Sequence, residues 1–299
     1  MRSGSNPWAF QAHPYGWALC AAMGLGYLVA IHREDPAHPG AYRPTRRQAV
    51  AFAGSLLCLV AALTWPLADL ASHWSLSALI VQRMILTLGV APLAIIGTPQ
   101  ALLARLSRPA AIDRLALWVS RPLSAFVVFG VIVIGTLLPV SVAAASRDSF
   151  LRGAFDLLML VAGIVLWAPV LQVVPGVDRV SPIARAVYLF VQSLVPTFPA
   201  IIYVFARHAI YPAFAGSHHA IGLSPLDDQE LAGILAKIAT LPVLWSAAAV
   251  IINRAQNAER AGRDPDTLTW LDVERRLERV ERGRSQHEGT SGSSGDLRP

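Results

Sequence analysis

The sequence predicts an all-α polytopic membrane protein: a bundle of seven transmembrane helices with its N-terminus outside and its C-terminus in the cytoplasm. Only 15% of the 299 residues are charged, whereas soluble domains average about 25%. Seven apolar runs are long enough to cross a bilayer core of about 30 Å. Basic residues concentrate in alternate connections between these runs, which predicts the orientation.

The seven predicted spans follow from length and from flanking helix-stop residues, since a spanning helix needs about 20 apolar residues. They cover residues 14–32, 47–66, 75–97, 122–142, 154–174, 183–206 and 229–252. Gly97-Thr98-Pro99 ends the third span, and Ser181-Pro182 supplies an N-cap and a first-turn proline to the sixth. Pro196 and Pro199 are expected to kink the sixth span.

The orientation rests on the arginines outside the spans. Ten lie in the connections assigned to the inside and four in those assigned to the outside, without counting the C-terminal tail. Because cytoplasmic loops carry the excess of basic residues, segments 33–47, 98–121 and 175–185 are predicted to be inside. This distribution also explains the basic net charge, so nucleic-acid binding is not predicted.

The chain divides into a membrane domain over 1–252 and a tail. Residues 253–284 are predicted to form a charged amphipathic helix on the cytoplasmic side, with an apolar stripe of Trp270, Val273, Leu277 and Val280. Such a stripe fits a helix that lies on the inner leaflet of the membrane or docks on a partner protein. The alternative is a helix exposed to solvent. Residues 285–299 are rich in glycine and serine and are predicted to be disordered.

Polar residues inside the spans are the main candidates for function. Gln82 and Arg83 interrupt the third span, and Arg83 lies roughly 12 Å below its outer end. Lys237 lies at similar depth in the seventh span, and Asp156 lies near the outer end of the fifth. A charge at mid-bilayer costs about 2.5–3.5 kcal/mol, so these groups are predicted to face one another as an intramembrane polar cluster. The alternative is that each cation reaches the headgroups alone.

Asp227, Asp228 and Gln229 crowd the outer mouth of the seventh span. The dipole of the helix that follows stabilises acidic side chains at that position, so their presence does not indicate a catalytic role. The sequence contains neither an HExxH motif nor paired carboxylates at catalytic spacing. We therefore predict a protein that is not an enzyme.

Three histidines in predicted outer loops are candidate metal ligands: His73, His218 and His219. With Asp69 or Asp227 they would make a site of nitrogen and oxygen ligands. Neighbouring histidines in a loop are also common without any metal.

Several segments resemble the CtaG family of cytochrome c oxidase assembly factors found with bacterial haem-copper oxidases. They are 17-WALCAAMGLGYLVAIHR-33, residues 49–84, 91-APLAIIGTP-99, 162-AGIVLWAPVL-171, 211-YPAF-214 and 222-GLSPLDDQELAGIL-235. The resemblance implies a multi-pass protein of the bacterial inner membrane that helps to build the oxidase without catalysing a reaction. It also implies a link to copper, with oxidase subunits or copper chaperones as partners.

The sequence departs from this family at the positions of its histidine and methionine motifs. Leu79, Ile80 and Arg83 stand where the third span of relatives has a His-Met-x-x-His pattern. Asp156 replaces a histidine, and Lys237 replaces an aromatic residue. A guanidinium cannot ligate copper, because it has no free lone pair.

An alternative function is a transporter or receptor for a small anion that uses Arg83 and Lys237.

Overall fold

The computed structural model describes residues 8, 12–33, 42–172, 177, 180–215, 222–262, 273 and 277–281. Within these ranges every regular element is a helix. In chain order the elements are α1 (Pro14–His32), α2 (Arg46–Leu63), α3 (Leu67–His73), α4 (Leu76–Met84), a π-helical segment (Ile85–Val90), α5 (Ala91–Gly97), α6 (Gln100–Leu106), α7 (Ala110–Val119), α8 (Pro122–Leu137), α9 (Pro139–Arg147), α10 (Ser149–Leu171), α11 (Pro182–Gln192), α12 (Thr197–Phe205), α13 (Pro212–Ala215), α14 (Pro225–Ile238) and α15 (Thr240–Arg260).

Side-chain caps start many of these helices. Thr45 forms a reciprocal capping box with Gln48 at the start of α2. The predicted cap at Ser181 is confirmed, because its hydroxyl accepts a hydrogen bond from the Ala184 amide and Pro182 opens α11. Asp148 caps α10 in the same way. These caps satisfy amides that have no partner within the helix.

In the described part of the chain, six helical stretches are long and apolar enough to cross a membrane, so the chain is a membrane protein. The fourth predicted span, 122–142, differs from the others because α8 has 16 residues and ends at Leu137. Its length of about 24 Å is short for a bilayer core. The described chain has seven candidate spans only if α7 and α8, which are bent by 94° relative to each other, are counted as one span. The number of seven and the orientation therefore remain predictions.

The centre of the bundle is built by the third and fifth spans, which are its most buried candidate spans. Small residues let the third span approach the backbones of the fifth and second spans closely. A β-carbon on Gly163 would lie 2.8 Å from the Thr87 Cα, and one on Gly97 would lie 2.8 Å from the Phe52 Cα. Such small-residue contacts are how transmembrane helices pack in lipid, where burial from water gives no driving force between helices.

Three spans lose regular α-helical geometry around the bundle centre. The third contains the π-helical segment, the sixth is interrupted between α11 and α12, and the seventh changes helix at Ala239. Side chains from other spans stabilise the π-helical segment. The Trp167 indole donates to the Thr87 carbonyl at 3.0 Å, and the Ser55 hydroxyl donates to the Val90 carbonyl at 2.9 Å. Irregular backbone is tolerated in a membrane where it has such partners.

The C-terminal tail contacts the connection between the third and fourth spans. Residues 277–281 are helical, and the Arg279 guanidinium donates to both carboxylate oxygens of Asp113 on α7, at 3.0 and 3.2 Å. Trp270, one member of the predicted apolar stripe, and the predicted disordered segment 285–299 lie outside the described residues.

Candidate functional site

Arg83 lies in the last turn of α4, immediately before the π-helical segment, and is 6% exposed. Its Nη2 donates to the Thr136 carbonyl at 3.1 Å. Its Nη1 is buried and has no hydrogen-bond partner among the described residues. Arg83 is therefore inside the bundle and does not extend to the headgroups.

Asp156 faces the same region from α10 and is also buried. Its Oδ2 has no partner in the described part of the chain. Arg83 and Asp156 line a cavity of about 20 Å³, which we call the junction cavity, but they make no direct ion pair there. That volume is enough for about one water molecule.

Gln82 also lines the junction cavity, and its amide donates to the Ala62 carbonyl near the end of α2 at 3.0 Å. Gln82 therefore ties the third span to the second.

Lys237 lies apart from this pair. Its Nζ donates to the Thr197 hydroxyl at 2.7 Å, so it links α14 to α12. It lines neither of the two cavities that Arg83 lines. The predicted cluster of three charges is thus reduced to Arg83 and Asp156. Residue counting gives depth along a helix, but successive residues point about 100° apart, and Ala236 takes the inward direction instead.

The residues at the outer mouth of the seventh span have different partners. Asp227 pairs with Ser224 at the start of its own helix, as the dipole argument predicts. Asp228 is buried and instead caps α4. It accepts hydrogen bonds from the Leu76 and Ser77 amides, at 2.6 and 3.3 Å, and from the hydroxyls of Ser75 and Ser77. The dipole explanation is therefore incomplete for Asp228, which joins the seventh span to the third.

Gln229 and two tyrosines form a further set of hydrogen bonds, which joins the seventh span to the sixth and to the end of α8. The Gln229 side chain accepts from the Ile210 amide at 2.7 Å and donates to the Tyr203 carbonyl at 3.2 Å. The Tyr211 hydroxyl donates to the Leu137 carbonyl at 2.6 Å, so Tyr203 donates to Tyr211. Burial raises the pKa of Tyr211, which keeps this phenol protonated as a donor.

A second cavity, the central cavity, lies among the third to seventh spans and has a volume of about 60 Å³. Its walls are mainly apolar, and its lining residues include Arg83 and Gln192 of α11. Both amide atoms of Gln192 are buried without a hydrogen-bond partner among the described residues. Sequence reasoning missed Gln192, although a glutamine inside an apolar span was an available signal.

At the predicted outer end, a larger cleft of about 550 Å³ is lined by His13, Tyr15, His73, Ser146, Arg147 and Arg152, among others. We call it the outer cleft. Beneath it, His13 Nε2 lies 2.7 Å from Asp69 Oδ1, and both side chains are buried. This pair was also missed, because nothing in the sequence indicates that residues 56 positions apart are in contact.

The described residues do not fit a copper site. His73 Nε2 lies 3.4 Å from the Arg152 guanidinium, a cation that disfavours a metal there, and Asp69 is bonded to His13. His218 and His219 lie outside the described residues. In the described ranges no three histidine, cysteine, aspartate or glutamate side chains are grouped to hold a metal. The side chains at 79, 80 and 83 offer neither sulfur nor imidazole.

Comparison with known proteins identifies the family of this chain. No curated protein and no solved structure matches the chain. The family model of the cytochrome c oxidase caa3 assembly factor (Caa3_CtaG) matches residues 25–257, a range that includes every candidate residue in the spans. The chain therefore belongs to the family of cytochrome c oxidase caa3 assembly factors.

Proposed function

We propose that this protein acts in the bacterial plasma membrane as a non-enzymatic factor in the assembly of a cytochrome c oxidase. The family match over most of the membrane domain is the observation that carries the proposal. The helical bundle and the apolar spans support a membrane location. Oxidase subunits, or the chaperones that supply them with copper, are the proposed partners.

Within this role, we propose that the third-span position acts without copper. The residue types support this, because Arg83 offers only donors and Leu79 offers no ligand. Arg83 is also held by the Thr136 carbonyl, so it is an integrated part of the bundle. The protein would then help the oxidase through contacts with a subunit rather than through a metal bound at this position.

A deletion strain tests the assembly role. We expect the strain to lose the reduced-minus-oxidised absorbance of the oxidase haems together with oxidase activity, and the wild-type chain to restore both. A strain with normal spectra and activity, in both copper-limited and copper-replete medium, would overturn the proposal.

Copper dependence tests the second part separately. If the third-span position acts without copper, added copper does not rescue the deletion strain. Equilibrium dialysis of the purified protein against Cu(I) is then expected to show no tight site that depends on Arg83. Rescue by copper alone, or a stoichiometric site lost in the Arg83→Gln variant, would contradict the metal-independent part and leave the assembly role in place.

A further inference from the structure

The connection between the third and fourth spans contains a helix with an exposed apolar stripe. Ile112, Leu115 and Trp118 of α7 are 48–59% exposed and follow one another at intervals of three residues, so they lie on one side of the helix. We call these three side chains the α7 stripe. Isolated apolar residues are common on protein surfaces, whereas a row of them on one side of a helix indicates an interaction surface.

The bend between α7 and α8 sets the direction of α7 relative to the membrane. The ten residues of α7 extend about 15 Å, which is too short to cross a bilayer core of about 30 Å. Its axis is bent by 94° from that of α8, which lies in the predicted fourth span. If α8 crosses at the usual tilt of about 20°, α7 lies within about 25° of the membrane plane.

The α7 stripe and the contact with the tail lie on opposite sides of the helix. Val119, one turn after Leu115 and on the same side, packs against the buried core of the bundle. Asp113 lies about 160° around the helix from Leu115. It is buried and accepts both hydrogen bonds from the Arg279 guanidinium of the tail. The stripe is therefore on the side of α7 that points towards the bundle and the bilayer.

Arginines flank the α7 stripe. Segment 98–121 has four arginines and one acidic residue, Asp113, whose carboxylate is bonded to Arg279. Arg114 and Arg121 are exposed. A helix with a tryptophan and aliphatic side chains on one side and arginines beside them is typical of helices that lie on an anionic membrane surface.

We propose that α7 is an in-plane helix that binds anionic phospholipid on the predicted cytoplasmic side. The α7 stripe lies among the first carbons of the acyl chains, and Arg114 and Arg121 donate to headgroup phosphates, which match the planar guanidinium. The position of α7 at the membrane surface favours lipid as the partner over a protein subunit. The fourth span then begins at Pro122, as the sequence predicts.

Fluorescence quenching tests where the α7 stripe lies. The full-length protein, with Cys20→Ser and Cys58→Ser to remove its two cysteines, is labelled with bimane at Leu115→Cys. It is placed in nanodiscs whose phosphatidylcholine carries a doxyl group at carbon 5 or at carbon 16. We expect stronger quenching by the 5-doxyl lipid, because in-plane helices are buried only about 5–10 Å deep. Val131→Cys, an exposed position near the middle of α8, is the control and should be quenched more strongly by the 16-doxyl lipid.

Native mass spectrometry tests the class of lipid. We expect the wild-type protein to bind phosphatidylglycerol more tightly than phosphatidylcholine with the same chains. An arginine near the headgroups contributes about fivefold, so Arg114→Gln with Arg121→Gln should weaken the tightest phosphatidylglycerol site by about 25-fold. Arg147→Gln with Arg207→Gln is the matched control, because it removes two exposed arginines from the predicted outer side and should leave that site unchanged.

The proposal fails if the 16-doxyl lipid quenches the label at Leu115→Cys more strongly, which would place α7 within a bent fourth span. Absence of quenching by either lipid would show that protein or solvent covers the α7 stripe, and would also overturn it. So would equal affinity for the two lipids, or equal losses in the two double variants. The substituted arginines are all exposed, so these variants are expected to fold. The deletion strain tests the assembly role separately.

Discussion

Replacing Asp228 with alanine should be the most damaging single change at the outer end of the bundle. The side chain is 5% exposed and crosses from the seventh span to the start of α4 in the third. It accepts from two backbone amides and two serine hydroxyls. Alanine removes all four acceptor contacts at a site that water does not reach readily.

The size of the effect follows from which donors find a new partner. The hydroxyls of Ser75 and Ser77 lie 2.9 Å apart and can bond each other. The Leu76 and Ser77 amides lose their acceptor. A hydrogen bond to a charged group contributes about 1.5–3 kcal/mol, so two such losses give about 3–6 kcal/mol. Unfolding in mixed micelles of dodecyl maltoside and sodium dodecyl sulfate, followed by tryptophan fluorescence, measures the difference.

Asp227→Ala is the matched control, because the neighbouring aspartate is exposed and its carboxylate accepts only from the Ser224 hydroxyl of its own helix. Ser224 is the N-cap of that helix, and alanine keeps the backbone amide that bonds to its hydroxyl, so a loss of about 0.3–1 kcal/mol is expected there from the helix dipole. Equal effects of the two substitutions, or a loss below about 1 kcal/mol for Asp228→Ala, would refute the assignment of Asp228 as the acceptor that joins two spans.

Three further predictions concern packing, buried charge and the tail. Gly163→Val should cost about 1–3 kcal/mol in the same unfolding assay, because its β-carbon would overlap the π-helical segment. Arg83→Met and Asp156→Leu should each cost about 3–5 kcal/mol, and the double variant should cost clearly less than their sum; additive costs would exclude coupling across the junction cavity. Asp113→Asn should release the segment around Arg279, seen as faster cleavage of the tail by trypsin, with Glu259→Gln as a control.

Much of the fold could be predicted because hydropathy and helix stops are local properties. The end of the third span at Gly97 and the start of the sixth at Pro182 were both readable from adjacent residues. The short α8 was not, because its apolar run continues through Pro139, where the structure starts another helix. The π-helical segment depends on acceptor and donor pairs from other spans, which the sequence does not reveal.

The candidate site, like the fold, could be predicted only in part from the sequence. Depth counting placed Arg83 and Asp156 at compatible levels, and both line the junction cavity. It failed for Lys237, since the direction of a side chain around the helix depends on the tilt and rotation of packed neighbours. It gave no weight to Gln192, because an uncharged polar residue has little effect on a hydropathy average. Tertiary packing alone decides which of these residues share a cavity.

Arg83 and Lys237 are at similar predicted depth, yet Arg83 has a buried nitrogen without a hydrogen-bond partner among the described residues, whereas Lys237 does not. Lys237 is partly buried and has a hydroxyl partner at 2.7 Å, so its flexible stem resolves its burial locally. Arg83 is rigid at its guanidinium, which donates to the Thr136 carbonyl through one terminal nitrogen and keeps the other buried without a partner among the described residues. A buried charge of this kind costs more in lipid than one whose stem reaches a partner. Asp156, which lines the junction cavity with Arg83, offsets part of that cost, and this is why the two residues should couple when both are replaced.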